Sequence, residues 1–129
     1  MVAISQLDAD ECMSLLSGHD MGRVAFVSDE APVILPVNYI VDGNTIVFRT
    51  DPGQKLAEIP MRRVAFEIDS GSDSDVWSVL VQGFAREITD ALGSRYEALR
   101  AVPIPVQAPG DKEFWIAIEI RELSGRRIH

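Results

Sequence analysis

Six separate stretches of this chain read as strands, most by an apolar period of two and one, Pro32–Ile40, by being apolar on both faces for much of its length, and turn-forming residues stand between the early ones. The stretches are Arg23–Val27, Pro32–Ile40, Thr45–Thr50, Arg63–Ile68, Val76–Ile88 and Phe114–Ile120. Val64, Phe66 and Ile68 fall on one face of their stretch, and Ile116, Ile118 and Ile120 on one face of theirs. Ser28-Asp29-Glu30 and Val41-Asp42-Gly43-Asn44 read as tight turns, the second a hairpin turn of the Asp-Gly type. Strands joined so tightly pair antiparallel. Strands this short bury an apolar face and shed their edges best by curling into a barrel. The expected fold is therefore mainly β, a six-stranded antiparallel barrel with a few short helices outside it.

The helices have their own signals. Asp8 can cap a helix and Glu11 stands three residues on, as in a capping box. Leu7, Cys12, Leu15 and Leu16 supply its apolar stripe, and Gly18 suits its end. Asp51-Pro52-Gly53 breaks the third strand, and a short helix through Lys55–Ile59 runs up to Pro60. A further helix is expected over Asp90–Ala101, an extended segment over Val102–Pro105, a loop at Ala108-Pro109-Gly110, and a tail over Ser124–His129. Pro36 lacks a donor, which predicts an edge, a bulge or a ligand-facing stretch. Gly83, inside the long fifth strand, predicts a bend or a close approach.

Length and charge bound the function. The 129 residues make one domain, 1–129. Twenty acidic residues against twelve basic ones leave a net charge of −8, which excludes a general nucleic-acid partner. No apolar run is long enough to span a membrane, and the first residues carry no secretory signal pattern. Cys12 is the single cysteine, so no intramolecular disulfide forms, and a reducing cytoplasm is the simplest setting.

Three stretches carry chemistry. Phe48-Arg49-Thr50 ends a strand, and Lys55 stands in the first turn of the following helix. A guanidinium fork, a hydroxyl, an ammonium and free helix N–H groups make a phosphate-sized anion site. The plainer reading is a strand-end Arg and a solvated Lys. Lysine occurs only here and at Lys112, which weighs toward the site. Next, Pro36-Val37-Asn38-Tyr39 sets a polar amide in an apolar strand; either a ligand or the backbone beside Pro36 satisfies it. In Trp77–Gly83, Ser78, Leu80 and Gln82 share one face and Trp77, Val79 and Val81 the other. Such a strand is covered on both sides, by the core and by a second subunit, a ligand, or both. Trp115 reads as core, interface or cofactor contact. Asp69–Asp75 lacks the glycine position and the closing Glu of a calcium loop, His19 and His129 lie far apart, and Cys12 sits on an apolar stripe, so no metal site is expected.

The order of these pieces resembles one family. Gly22-Arg23-Val24-Ala25-Phe26, Pro36-Val37-Asn38-Tyr39, Ile46–Thr50 with Gly53 and Lys55, Val64–Glu67, Trp77–Gly83 and Gly125-Arg126-Arg127 together resemble the pyridoxamine 5′-phosphate oxidase-like flavin-binding split barrels. The resemblance covers nearly the whole chain. It implies a six-stranded split barrel, a homodimer, and FMN at the subunit interface, with a deazaflavin cofactor or haem as the alternatives found on this fold. It implies that Thr50 and Lys55 hold the FMN phosphate with Arg49 and Phe48 adjacent, and that Pro36, Val37, Asn38 and Tyr39 lie along the isoalloxazine. Ser78 then faces the ring system, Gln82 assists, and Arg126 and Trp115 contribute from the C-terminal strand. Gln54 stands where the family often has Arg, and Arg126 where the vitamin B6 oxidase has a Trp. The resemblance thus implies an oxidoreductase acting on a small-molecule substrate or electron donor, without vitamin B6 oxidase activity. A non-catalytic carrier of flavin, deazaflavin or haem is the other reading.

Overall fold

The structure is a computed structural model and describes residues 3–50, 55–88 and 114–128. The expected turn at Asp51-Pro52-Gly53, Gln54, the helix over Asp90–Ala101, the segments through Pro105 and Gly110, and His129 lie outside the described residues. In chain order the elements are β1 (Ile4–Leu7), α1 (Ala9–Ser17), β2 (Met21–Ser28), β3 (Ala31–Asn38), β4 (Ile40–Asp42), β5 (Thr45–Thr50), a 3-10 turn (Lys55–Glu58), β6 (Arg63–Asp69), β7 (Val76–Ile88) and β8 (Phe114–Ile128). Every strand pairing is antiparallel. The sheet runs β3-β2-β6-β7-β8-β5-β4, and β1 adds to the end of β8.

That order dictates the shape. β3 and β4 stand at opposite ends of the path, yet only Tyr39 separates them in sequence. Consecutive Cα atoms are about 3.8 Å apart. The sheet therefore curls until its two ends meet at Tyr39, giving an antiparallel half-barrel. Tyr39 is buried and fixed there twice: its N–H donates to Asp20 O at 3.0 Å and its hydroxyl to Leu16 O at 2.6 Å. Its ring packs edge-on against Phe66, 4.8 Å between centroids.

The described sheet has eight strands, not the six expected from periodicity. β1 is short and mostly exposed, so it has no alternation to read; it exists because β8 offers it an edge. The stretch read as one strand to Ile40 is two, because Tyr39 turns inward and the chain changes partner from β2 to β5. Ser124–Ile128, expected as a tail, continues β8 between β1 and β7.

The core fills the inside of the curl. Val24, Phe66, Val79, Val81, Phe48, Ile116 and Ile118 are fully or almost fully buried there, with Cys12 and Leu16 of α1 closing one side. A second buried group, Val47, Ile88, Trp115 and Ala117, lies on the outer face where β5, β8 and the end of β7 run side by side. Helix α1 begins as expected, with Asp8 Oδ1 accepting from Glu11 N at 2.8 Å. Among the described residues no helix is long and apolar enough to cross a membrane.

The β2–β3 hairpin closes on Ser28 and Ala31, so its loop is Asp29-Glu30, with φ of 51° and 65°. Positive φ at both positions is the type I′ pattern, which favours Asn-Gly. An L side chain in that region costs roughly 1–2 kcal/mol. Asp29→Asn/Glu30→Gly is expected to stabilise the fold by about 1 kcal/mol, a rise of roughly 4 °C in Tm. Thermal unfolding followed by circular dichroism reads it; an unchanged or lower Tm contradicts the turn assignment. The second hairpin turns one residue later than expected, over Gly43-Asn44, with positive φ (59°) at Gly43 alone among the two.

Candidate functional site at the ends of β3 and β5

The first group of candidate residues meets where the sheet closes on itself. Ile40 pairs with Val47, so the chain just before it, Asn38-Tyr39, runs toward Phe48 and Arg49, and β3 comes into contact with β5. Arg49 is the register partner of Trp115, and Thr50 of Phe114. Cross-strand partners share a face, so Arg49 and Trp115 stand together on the outer side with Val47 and Ala117. Thr50, buried, points the other way with Phe48. A phosphate that takes both Arg49 and Thr50 therefore sits at the end of β5, where the chain leads on to Lys55. Phe48 and Val37 are core side chains, which leaves only their backbone to meet a ligand.

β3 has one partner, β2, and among the described residues no strand pairs along its far edge. The two-residue turn makes Ser28–Ala31 a hydrogen-bonded pair, and the pattern then alternates. Positions 32, 34, 36 and 38 consequently turn their backbone groups away from β2. Pro32 and Pro36 fall on these outward positions, so neither removes a ladder bond, and both discourage a further strand from adding there. Of these four outward positions, Ile34 and Asn38 carry a backbone N–H. Pro36 is exposed on this edge strand, in line with one of the placements its missing donor predicted.

The second group lies at the other end of β8. Ser78 pairs with Arg126 on one side and Asp69 on the other, so all three share the outer face. They line a groove of about 580 Å³ with Trp77, Val76 and Ile128. Gln82 shares the outer face of β7 and lines a different groove, of about 610 Å³. Trp115 and Arg126 stand eleven residues apart on one strand, roughly 36 Å of contour at about 3.3 Å per residue. The structure thus assembles Asn38, Tyr39, Arg49, Thr50 and Trp115 in one place and Ser78 with Arg126 in another. The Lys55 side chain lies outside the described ones.

Other titratable groups are accounted for locally. Burial, and the charges of Asp8 and Glu11, push the Cys12 thiol up, so it stays protonated and unreactive. Burial first, then Asp20, pushes the Tyr39 hydroxyl well above the ordinary range. His19 Nδ1 donates to Leu15 O at 2.7 Å, and the ring packs edge-on against Trp77, 5.0 Å between centroids. In the Asp69–Asp75 loop Ser70 Oγ accepts from Ser72 N at 3.3 Å and Trp77 N at 3.4 Å. Among the described residues no three of His, Cys, Asp and Glu are grouped as a metal site.

Periodicity did not single out Arg62, Arg63 and Arg121, which gather at the groove that Gln82 lines. The one signal in the sequence was two adjacent arginines before a strand in an acidic chain, which reads equally as a solvated end.

Residues 8–127 match the family model described as pyridoxamine 5′-phosphate oxidase. An uncharacterised protein of Rhizobium meliloti is 24% identical over 93% of this chain and 92% of its own length. An uncharacterised protein of Mycobacterium tuberculosis is 40% identical over 67% of this chain and 78% of its own. Among solved structures, the FAD binding protein from Mycobacterium smegmatis superposes with a TM-score of 0.75, at 29% identity, over 97% of this chain and 98% of its own.

Proposed function

The chain belongs to the pyridoxamine 5′-phosphate oxidase family, and we propose that it is a flavin-dependent oxidoreductase that holds FMN between two copies of itself. The observation that carries this reading is the junction at Tyr39, which gathers the edge of β3, the end of β5 and Trp115 in one place. The residues there fit the cofactor. The outward N–H groups of Ile34 and Asn38 suit the carbonyl-bearing edge of the isoalloxazine, and Thr50, Arg49 and Lys55 suit its phosphate. The similar Mycobacterium smegmatis protein binds FAD, which supports a flavin.

Two copies serve one site on this reading because Ser78 on β7 and Arg126 at the far end of β8 stand in a group apart from Arg49 and Thr50. A partner's copy brings them. Ile4, Ile128 and Val76 are neighbours across β1, β8 and β7 beside that second group, and all three are exposed. An exposed apolar row next to functional side chains supports an interface there. The bound flavin supplies hydride or single-electron chemistry. The protein's part is to hold the ring along β3, neutralise the phosphate at the end of β5, and exclude water with Trp115 and the partner's strand.

An absorbance spectrum of the purified protein, repeated after adding FMN or FAD and desalting, tests the reading. Retained flavin bands with FMN are expected. Loss of both flavins overturns it, and retention of a deazaflavin or haem instead would assign the site to the carrier alternative.

A further inference from the structure

We propose that the groove between the β2–β3 hairpin and the middle of β8 binds a planar, mostly apolar anion, such as an aromatic carboxylate, sulfonate or phosphate. Its floor is apolar and uncovered: Val27 is 57% and Ile34 67% exposed, with Ala25 and Ala65 beside them. Its rim is cationic. Arg62, Arg63 and Arg121 line it against one carboxylate, Glu122, in a chain whose net charge is −8. Each cation stands beside a neighbour, and among the described residues only Arg62 spends a terminal nitrogen on one. Arg62 Nη1 donates to Val27 O at 3.0 Å. Arg63 is the register partner of Phe84, and the Arg121 guanidinium lies 5.0 Å from the centre of the same ring. Arg121 meets Glu119 only at 3.8 Å, and Arg63 has no ion pair among the described residues.

A rim of guanidinium forks over bare aliphatic side chains complements a ligand with a flat apolar body and an oxyanion at one end. A neutral ligand would leave the forks unused, and a small inorganic anion would leave the floor bare. The volume, about 610 Å³, is that of a ligand pocket. The groove also has a position. Pro32 and Ile34 share a face of β3 with Pro36 and Asn38, so the groove runs on from the edge proposed for the flavin ring. Its use as the substrate's side of that ring rests on the flavin reading; the anion site itself does not.

Two dyes of one shape separate charge from hydrophobicity. 1-Anilinonaphthalene-8-sulfonate and N-phenyl-1-naphthylamine share the ring framework and differ by the sulfonate. Fluorescence titration of the native protein is expected to give at least tenfold tighter binding of the sulfonate. Arg63→Gln/Arg121→Gln is expected to bring the sulfonate down to the affinity of the neutral dye, with the neutral dye and the Tm unchanged. Equal affinities in the unaltered protein, no binding of either dye, or an unchanged sulfonate affinity in the double variant each overturn the proposal. A flavin that washes off removes the oxidoreductase reading and leaves this comparison intact. A flavin that stays while both dyes bind alike removes only the groove.

Discussion

Thr50→Val/Lys55→Ala is expected to abolish flavin retention through desalting while the protein stays folded. Thr50 is buried at the last position of β5, and its backbone is fixed by pairing with β8, so Val keeps the volume and removes the hydroxyl. Lys55 opens the next element, and Ala removes its charge. Losing charge-assisted hydrogen bonds to a phosphate costs about 2–5 kcal/mol for the pair. That is roughly 30-fold to several thousand-fold in affinity, enough to pass from retained to washed off. Equilibrium titration of flavin fluorescence reads it, and unchanged affinity removes the phosphate assignment. The same variant tests the shared site. Mixed with Arg126→Ala and allowed to exchange subunits, it forms heterodimers with one doubly altered site and one unaltered site. About a quarter of all sites then bind as in the unaltered protein. If the mixture retains only the average of its two components, the two residue groups do not serve one flavin.

The strands were legible because burial on one face writes a period of two into the sequence, as at Val64, Phe66 and Ile68. What was not legible is where a strand changes partner. Through Pro32–Ile40 the apolar pattern continues without a break, and only the fixing of Tyr39 to Asp20 and Leu16 shows the corner. β1 and the end of β8 escaped for the opposite reason. Their side chains are mostly exposed, so pairing leaves no trace in hydropathy. The site divides the same way. The strand-end Arg49-Thr50 announces itself by residue type and position. Its meeting with Trp115, and the distance of both from Arg126, depend on the register of β8 against β5 and β7. The arginine groove depends on register too, since Arg63 and Arg121 come together only across Phe84.

Gly83 is where register and stability are most tightly joined, and Gly83→Ala is expected to destabilise the fold by about 3 kcal/mol. The pairing of β7 with β8 slips between Gln82 and Gly83, so Gln82 opposes Glu122 while Gly83 opposes Ile120. This bulge brings β8 over the glycine. A Cβ there would stand 2.3 Å from the backbone oxygen of Glu119 and 2.8 Å from Ile118 Cγ2. A side chain can rotate away, but a backbone oxygen inside a ladder cannot without breaking its pairing. Relief therefore requires β8 to lift from β7, the longest pairing in the sheet. Gly43→Ala supplies the contrast: nothing lies within 4 Å of its added Cβ, and only its positive φ opposes the change. It should cost about 1 kcal/mol. Gly22→Ala falls between: its added Cβ would stand 2.3 Å from Cζ of the buried Phe66 ring, a side chain that must repack, while the nearest backbone oxygen, that of Glu67, is at 3.0 Å rather than 2.3 Å. Urea unfolding of the three variants is expected to rank their midpoints Gly43, Gly22, Gly83 from highest to lowest. A Gly83→Ala midpoint equal to that of Gly43→Ala would mean that β8 does not cross β7 as the bulge requires. The opposite ends of β8 would then lose the fixed separation on which the two-copy site depends.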